Sequence, residues 1–260
     1  MVYNSSMPRF HTQSDLTKSA AVLLDEKESR HALRVLRLKS GQSVELFDPH
    51  GHSRGGVVAG VRRGLVEIAL DRRVVSRHAA AEVSTQITLA VSVIKPERME
   101  LLIQKACELG VHSFWPVLSQ RSVVRLSKER WASKIERWRK IALESCKQCG
   151  RSVIPQIDAL RSFDELPPLF SAFDAVLIPT LALQGESIYN ALKKHSTAAK
   201  LLLMIGPEGD FSPEEAKLAA AKGALPVTLG SLVLRSETAA LYALSAAQFY
   251  YREVCLDEKK

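Results

Sequence analysis

Apolar and polar residues alternate in short, glycine-punctuated runs through the first part of the chain. The runs are 44–47, 55–59 and 65–70. Period-two alternation of this kind predicts short β-strands of a small barrel. A helix over 26–36 is expected to interrupt them, because Asp25 is a candidate N-cap with Glu28 three residues on. Residues 1–76 are therefore predicted to form a small β-barrel domain.

Beyond a polar link at Arg77–Ala81, short apolar runs alternate with stretches that have helical spacing. Apolar runs of this length favour buried parallel strands. Strand and helix alternation predicts an α/β domain over 82–254 with a mostly parallel, helix-covered sheet. The predicted strands are 86–93, 113–117, 174–178, 200–205 and 225–229, and the predicted helices are 97–109, 128–147, 213–222 and 237–252.

The strand over 200–205 ends at Gly206-Pro207, which is a strong turn signal. The helix that follows has Ser212 as a candidate N-cap, Pro213 at its first position and Glu215 three residues after the cap. This combination is a capping box and predicts a well-defined helix start.

The strand over 225–229 ends at Gly230, and an alanine-rich helix follows from Glu237. We expect the two strands to be neighbours, so that both loops reach one edge of the sheet. Open α/β folds bind ligands at the carboxyl ends of their strands, so the loops predict a ligand site.

Charged side chains on these loops favour a functional site over plain connections. They are Glu208, Asp210, Arg235 and Glu237. A purely structural turn needs none of them. The loops match neither the Gly-x-Gly-x-x-Gly dinucleotide pattern nor the P-loop.

At these residues the chain resembles the SPOUT superfamily of S-adenosylmethionine-dependent RNA methyltransferases. Within it, the chain resembles the family that methylates N3 of a uridine in 16S ribosomal RNA. The family pattern Gly-Pro-Glu-Gly-Gly-Phe-Ser is met over 206–212, except that Asp210 replaces the last glycine. The pattern Leu-Gly-x-x-Ile-Leu-Arg-x-Glu-Thr-Ala is met over 229–239, with Val233 in the isoleucine position. The resemblance also covers 7–10, 95–100, 105–111, 121–122 and 148–151, and so essentially the whole chain.

The resemblance implies a PUA-like RNA-binding barrel followed by a SPOUT domain with a deep trefoil knot, which periodicity alone does not indicate. In this superfamily the cofactor lies bent among the knotted loops, held largely by backbone groups. The S-adenosylmethionine site then comprises Thr180, Leu181, Ile205, Gly206, Pro207, Glu208, Gly209, Leu229, Gly230, Leu232, Val233, Leu234, Thr238 and Ala239. Core packing is the alternative for Thr180 and Leu181. No metal is expected, because the sulfonium is already an activated methyl donor.

Methylation of uracil N3 requires loss of the N3 proton, which leaves negative charge on the ring and its carbonyl oxygens. Arg235 is the candidate catalytic residue that stabilises this charge. Glu237 is a candidate proton acceptor, and the alternative is that it stabilises a helix N-terminus. Asp210 is expected to preserve the turn, because aspartate tolerates left-handed backbone, while its charge affects the cofactor site.

The net charge of +8 and the isoelectric point near 9.4 favour an anionic partner. Residues 1–80 contain thirteen Lys/Arg and eight Asp/Glu, and residues 121–151 contain ten and three. The alternative is that these positive charges lie on solvated helix faces and do not contact RNA. The predicted RNA-binding residues are Arg9, Arg30, Arg34, Arg37, Arg121 and Arg151, of which Arg30, Arg34 and Arg37 would share one helix face.

The expected partner is 16S ribosomal RNA or the assembled small ribosomal subunit. The alternatives are a SPOUT methyltransferase acting elsewhere, such as on a ribose 2′-oxygen, and a non-catalytic assembly factor. The resemblance implies a homodimer, in which the helix over 237–252 belongs to the interface or to the core. No apolar run approaches a membrane span and residues 1–19 are too polar for a signal peptide, so we expect a cytoplasmic protein.

The chain has four cysteines, too few for a disulfide scaffold at this length. Cys146 and Cys149 form a Cys-x-x-Cys, which is typical of redox sites or half of a zinc site. No second ligand pair is evident for zinc, so we interpret the spacing as coincidental. The remaining cysteines are Cys107 and Cys255.

Overall fold

The computed structural model describes residues 7–76, 85–122, 124 and 127–254. The chain divides into two compact units, Met1–Glu82 with Leu143–Ile154, and Val83–Ala142 with Pro155–Lys260. The segment Leu143–Ile154 therefore packs with the first unit, whereas the predicted ranges put it in the second domain. The predicted link Arg77–Ala81 and Cys255 lie outside the described residues. Among the residues that are described, no helix has both the length and the apolar character needed to cross a membrane.

The first unit is built on a five-stranded sheet in the order β1-β3-β4-β5-β2. Strand β1 runs parallel to β3, and the other pairs are antiparallel. Alternate apolar side chains such as Leu46, Val58 and Ile68 pack into one buried core, as the period-two pattern predicts. The strands are β1 (Arg9–His11), β2 (Ala21–Leu23), β3 (Ser43–Phe47), β4 (His52–Arg62) and β5 (Leu65–Ser76).

The predicted helix over 26–36 is only partly α-helical. Helix α1 (Glu26–Arg30) begins at Asp25, whose carboxylate accepts a hydrogen bond from the Glu28 amide at 2.7 Å. A π-helical turn, His31–Val35, then replaces the α-helical hydrogen bonds. Arg37 has a φ of 53° and lies outside the helix. The prediction that Arg30, Arg34 and Arg37 share one face of a continuous α-helix is therefore wrong, although all three are exposed.

Arg9 is buried rather than available to RNA. Its side chain is 3% exposed and pairs with Glu45 at 3.1 Å. The guanidinium also donates to the carbonyl oxygens of Cys146 and Arg151 at 3.0 and 3.2 Å, and it lies over the Phe47 ring. The prediction of Arg9 as an RNA-binding residue is corrected, because its donors are directed into the first unit and tie Leu143–Ile154 to β1.

Replacement of Arg9 with alanine is expected to lower the free energy of unfolding by about 3–5 kcal/mol, as removal of one member of a buried ion pair does. Chemical denaturation followed by circular dichroism measures this difference. Arg9→Lys is the matched control, because it keeps the charge but loses the planar fork, so an intermediate loss is expected. An alanine variant as stable as the wild type would contradict the structural role.

The two thiols of the Cys-x-x-Cys are held at the end of a helix in the first unit. Cys146 is buried, and Cys149 is partly buried, with its Sγ 3.9 Å from the Cys146 carbonyl oxygen. Burial raises the pKa of the Cys149 thiol, which disfavours the reactive thiolate. Neither cysteine is in a disulfide.

The second unit contains an all-parallel sheet in the order β11-β13-β10-β12-β6-β7-β8, with β9 also paired to β7. Five of the six residues of β12 are buried, as expected for a parallel strand covered on both faces. The strands are β6 (Gln86–Ser92), β7 (Ser113–Leu118), β8 (Gln156–Ile157), β9 (Arg161–Ser162), β10 (Ala175–Pro179), β11 (Glu186–Ser187), β12 (Lys200–Ile205) and β13 (Leu225–Thr228).

Helices cover this sheet and continue the predicted alternation. They are α2 (Pro96–Glu108), α3 (Lys128–Cys149), α4 (Ile188–Lys194), α5 (Pro213–Ala221) and α6 (Ser236–Phe249), and the end of α3 from Leu143 onward belongs to the first unit. Helix α6 continues into a π-helical turn, Tyr250–Val254. Two short 3₁₀-helices, Phe163–Glu165 and Pro167–Ala172, contribute Phe163 and Phe170 to the core.

The strands β12 and β13 are not neighbours, so that prediction is wrong. Strand β10 lies between them and pairs with both. The carboxyl end of β10 is therefore flanked by those of β12 and β13. Three loops therefore meet at this edge of the sheet, and the third is the loop after β10 that contains the predicted site residues Thr180 and Leu181.

Candidate active site

A cavity of about 460 Å³ lies at the carboxyl ends of β10, β12 and β13. Three loops supply most of its lining: the β10 loop (179–183), the β12 loop (206–211) and the β13 loop (229–235). The lining residues are Arg121, Pro179, Thr180, Leu181, Ala182, Ile205, Gly206, Pro207, Glu208, Gly209, Asp210, Phe211, Pro213, Val227, Thr228, Leu229, Gly230, Leu232, Val233, Leu234, Ser236 and Ala239.

The β12 loop turns too tightly at Gly206 for any side chain. A Cβ atom there would lie 2.7 Å from the Phe211 amide nitrogen and 3.0 Å from the Asp210 carbonyl carbon. Phe211 is fully buried, which holds the far end of the loop in the core. The predicted capping box is confirmed, since Ser212 and Glu215 exchange hydrogen bonds at 2.8 and 3.1 Å.

Asp210 connects the β12 loop to the β10 loop. Its φ of 60° confirms that aspartate preserves the left-handed turn. One carboxylate oxygen accepts from the Phe211 amide at 2.7 Å. The other accepts from the Thr180 hydroxyl at 2.8 Å and from the Leu181 amide at 2.7 Å. A side chain that the related pattern lacks thus fixes one wall of the cavity.

The β13 loop presents its apolar side chains to solvent beside the cavity. Leu232 and Val233 are 77% and 78% exposed, and Gly230 has a φ of 118°. At the end of the loop, the Ser236 hydroxyl donates to the Gly206 carbonyl oxygen at 2.5 Å. This bond joins the start of α6 to the β12 loop.

Two acidic residues beside the cavity share one arginine. Arg98 of α2 lies 3.6 Å from the Glu208 carboxylate and 3.7 Å from that of Glu237. The second Glu237 oxygen, Oε2, is buried and has no hydrogen-bond partner among the described residues. Glu237 therefore faces α2 across the site.

Arg98 does not pair within its own helix. Of the pairs possible along the helix, Lys105 and Glu108 do form one at 2.9 Å. Arg98 instead extends to Glu208 and Glu237, because α2 follows β6, the neighbour of β12 in the sheet. Arg98 follows β6 closely in the sequence, and this position could have indicated that it lies near the carboxyl ends of the central strands.

Arg235 is the N-cap residue of α6 and is exposed. It follows Leu234, which lines the cavity, but it does not itself line it. Arg235 and Glu237 thus lie at the edge of the cavity, outside its lining. Of the residues predicted to bind the cofactor, Thr238 alone does not line the cavity. Thr238 is exposed to solvent, whereas Ser236 and Ala239 line the cavity.

The predicted RNA-binding residues fall in different places. Arg121 lines the cavity and donates to the Gly209 carbonyl oxygen at 2.6 Å. Arg151 is partly buried in the first unit, where Arg30, Arg34 and Arg37 are exposed. Contact of these residues with RNA stays a prediction.

One group in the first unit has the side chains of a metal site: Asp15, Asp48 and His52, with potential ligand atoms within 4.8 Å of one another. The two carboxylates already accept hydrogen bonds from other groups of the protein. Asp48 accepts from the amides of Leu16, His50 and His52, and Asp15 accepts from Thr17. These hydrogen bonds stabilise the local loops, so the cluster is explained without a bound metal.

Comparison with known proteins identifies the family. The RNA methyltransferase domain model matches residues 81–248, and the RNA methyltransferase PUA domain model matches residues 24–71. Ribosomal RNA small subunit methyltransferase E of Bacillus subtilis (strain 168) is 29% identical over 245 residues, which cover 92% of this chain and 93% of the relative. The Mycobacterium bovis protein of the same name is 31% identical over 228 residues, which cover 87% and 86%.

A solved structure agrees with these relatives. Ribosomal RNA small subunit methyltransferase E from Neisseria gonorrhoeae, bound to S-adenosyl methionine, superposes with a TM-score of 0.82. It is 28% identical, over 94% of this chain and 98% of that one. The chain belongs to the ribosomal RNA small subunit methyltransferase E family of RNA methyltransferases, with a PUA domain in its first unit.

Proposed function

We propose that this protein transfers the methyl group of S-adenosylmethionine to N3 of a uridine in 16S ribosomal RNA. The observation that supports this most directly is the three-loop cavity, since its lining contains thirteen of the fourteen residues predicted to bind the cofactor. The named relatives act on ribosomal RNA of the small subunit, and the Neisseria gonorrhoeae structure has S-adenosyl methionine bound.

The cavity fits S-adenosylmethionine in size and in chemistry. Its volume of about 460 Å³ is in the range of small-molecule sites. The apolar side chains of Leu181, Leu232 and Leu234 suit the adenine ring, and the backbone of the β12 and β13 loops suits its polar edges. Glu208 supplies negative charge beside a cationic ligand. When bound, the cofactor supplies a methyl group on a sulfonium that needs no further activation.

In the proposed mechanism Arg235 contacts a carbonyl oxygen of the uracil and stabilises the charge that develops when N3 loses its proton. Glu237 accepts that proton. Its Oε2 has no hydrogen-bond partner among the described residues, so this oxygen is not already used by the protein, and that favours the acceptor role over stabilisation of its own helix N-terminus. Arg98 holds Glu208 of the β12 loop and Glu237 of α6 in place. The uridine must be unpaired or flipped to reach these groups.

A trefoil knot in the second unit is supported by the path of the chain after β13. Strand β13 lies on the far side of β10 from β12, yet α6 contacts β12 and β6. The chain therefore crosses the carboxyl end of β10, where the β10 loop lies, before Ser236 bonds to Gly206 at the end of β12.

We also propose that the protein is a homodimer that works in the cytoplasm on free 16S ribosomal RNA or on the small ribosomal subunit. Each chain has two domains, 1–76 and 82–254, with 143–154 packed in the first. Tyr242 and Phe249 of α6 are 49% and 64% exposed, and Leu101 of the adjacent α2 is 48% exposed. These residues suit a subunit interface, whereas Leu244 and Tyr250 of the same helical segment are buried in the core. Size-exclusion chromatography with light scattering measures whether the protein is a dimer.

The function is tested by incubating the protein with S-adenosylmethionine and either 16S ribosomal RNA or small subunits, followed by mass spectrometry of the nucleosides. The expected product is 3-methyluridine. A ribose-methylated nucleoside instead would identify another SPOUT activity. RNA binding without cofactor binding, measured by calorimetry, would indicate an assembly factor.

Asp210→Gly is expected to weaken S-adenosylmethionine binding about tenfold, because the β10 loop loses hydrogen bonds to a charged acceptor, each of which contributes about 1.5–3 kcal/mol. The comparison variant is Thr180→Val, which keeps the Leu181 bond to Asp210 and loses the bonds of the Thr180 hydroxyl to Asp210 and to the Ala182 amide, so it should weaken binding less. Calorimetry measures both. Equal affinity of Asp210→Gly and wild type would show that the carboxylate does not organise the cavity.

A further inference from the structure

The turn of the β4–β5 hairpin holds two exposed arginines. Arg62 is the last residue of β4, and Arg63 and Gly64 form the turn. Arg63 has a φ of 52°, a left-handed conformation that glycine or asparagine adopts at lower cost. Arginine does not favour this turn conformation, and non-glycine residues with a left-handed backbone are often found at functional sites.

The arginines of the helical segment lie beside this hairpin. The Ser29 hydroxyl accepts from the amide of Val66, whose partner across the hairpin is Val61. Ser40 donates to the carbonyl oxygen of Ala59 at 3.2 Å. Residues 29 and 40 are thus both tied to the outer half of the hairpin, and the chain between them contains Arg30, Arg34 and Arg37.

These five exposed residues, Arg30, Arg34, Arg37, Arg62 and Arg63, are named the basic surface here. Within the part of the first unit that is described, ion pairs use other side chains: Arg9, Lys18, Lys27, Lys147 and, with Asp48, His52. The guanidinium groups of the basic surface therefore form no ion pair with the described carboxylates of that unit. Exposed apolar side chains, Val35 and Val61, lie among them at 65% and 56% exposure.

We infer that the basic surface binds the phosphate backbone of RNA, with the hairpin turn as its outer edge. This inference rests on the proposed function and names the surface that holds the substrate. Guanidinium groups match phosphate in geometry, and contacts to phosphates contribute affinity and salt dependence without reading sequence. The hairpin adds Arg62 and Arg63 to the arginines of the helical segment, because both elements are held at one end of the first unit.

The test compares Arg62→Gln/Arg63→Gly with Lys18→Gln/Arg72→Gln in the full chain. Both double variants remove two exposed positive charges from the first unit. Lys18 precedes β2 and Arg72 lies towards the other end of β5, where the amide of Leu70 donates to the Ala20 carbonyl oxygen. The measurement is filter binding of a labelled 16S ribosomal RNA transcript over a series of salt concentrations.

The hairpin variant is expected to bind the transcript at least about tenfold more weakly, and its slope of log affinity against log salt should fall by about 1–2, as for two lost phosphate contacts. The Lys18/Arg72 variant should change little. The melting temperature of the hairpin variant should stay close to that of the wild type, because both changed residues are exposed and glycine suits the turn.

Unchanged affinity and slope in the hairpin variant would overturn the inference. Normal binding to the transcript with weakened binding to intact small subunits would also overturn it, because the surface would then contact a ribosomal protein. Failure of the proposed function is a separate result: the wild type would then give no methylated nucleoside, whatever the hairpin variant does.

Discussion

Replacement of Arg235 with alanine is expected to lower the rate of methyl transfer by about 10²–10³-fold, the usual loss when one stabilising donor is removed from a developing anion. Arg235 is exposed at the edge of the cavity and does not line it, so S-adenosylmethionine affinity should be unchanged. Single-turnover methylation of 16S ribosomal RNA measures the rate, and calorimetry measures cofactor binding.

The conservative control for this prediction is Arg235→Lys, which keeps the positive charge and loses the planar fork. We expect it to recover part of the lost rate. The backbone of residue 235 is extended at the N-cap, and its side chain makes no capping hydrogen bond, so neither change should unfold α6. Full activity of the alanine variant would exclude the proposed role, and loss of cofactor binding would assign Arg235 to the cofactor site instead.

The parts of the fold that were predictable depend on local sequence. The strand over Lys200–Ile205 has its predicted bounds, and the capping box at Ser212 has its predicted bonds, because both depend on residues close together in the chain. The order of the strands in the sheet does not depend on residues that are close together in the chain. Nothing in 174–178 indicates that β10 lies between β12 and β13, since strand pairing is a long-range property of the whole sheet.

The same distinction explains the outcomes for single residues. Arg9 resembles a surface arginine in sequence, and its burial depends on carbonyl oxygens more than 130 residues away. Arg98 lies in the 95–100 segment of the family resemblance, which does not indicate its partners on the β12 loop and α6. Asp210 was expected to tolerate the turn, which it does. Its bonds to Thr180 and Leu181 could not be expected, because they depend on the placement of β10.

Gly206 gives the other large expected effect, because the cavity requires a residue without a side chain at the end of β12. Gly206→Ala should weaken S-adenosylmethionine binding by about 100-fold, since a shift of about 1 Å in a site can cost this much. A Cβ atom 2.7 Å from the Phe211 amide forces the β12 loop to move, and Phe211 is fixed in the core. The strain should also lower the free energy of unfolding by about 1–3 kcal/mol.

Gly209→Ala is the matched control, because it makes the same change in the same loop without the clash. The nearest atom to a Cβ at Gly209 is the Arg121 Cδ at 3.6 Å, an ordinary van der Waals distance. Calorimetry should therefore give near-normal cofactor affinity for Gly209→Ala and a large loss for Gly206→Ala. Wild-type affinity for both variants would mean that the backbone of the β12 loop does not hold the cofactor. Equal losses would mean that any added methyl group blocks the cavity, so the close turn at Gly206 would not be the cause.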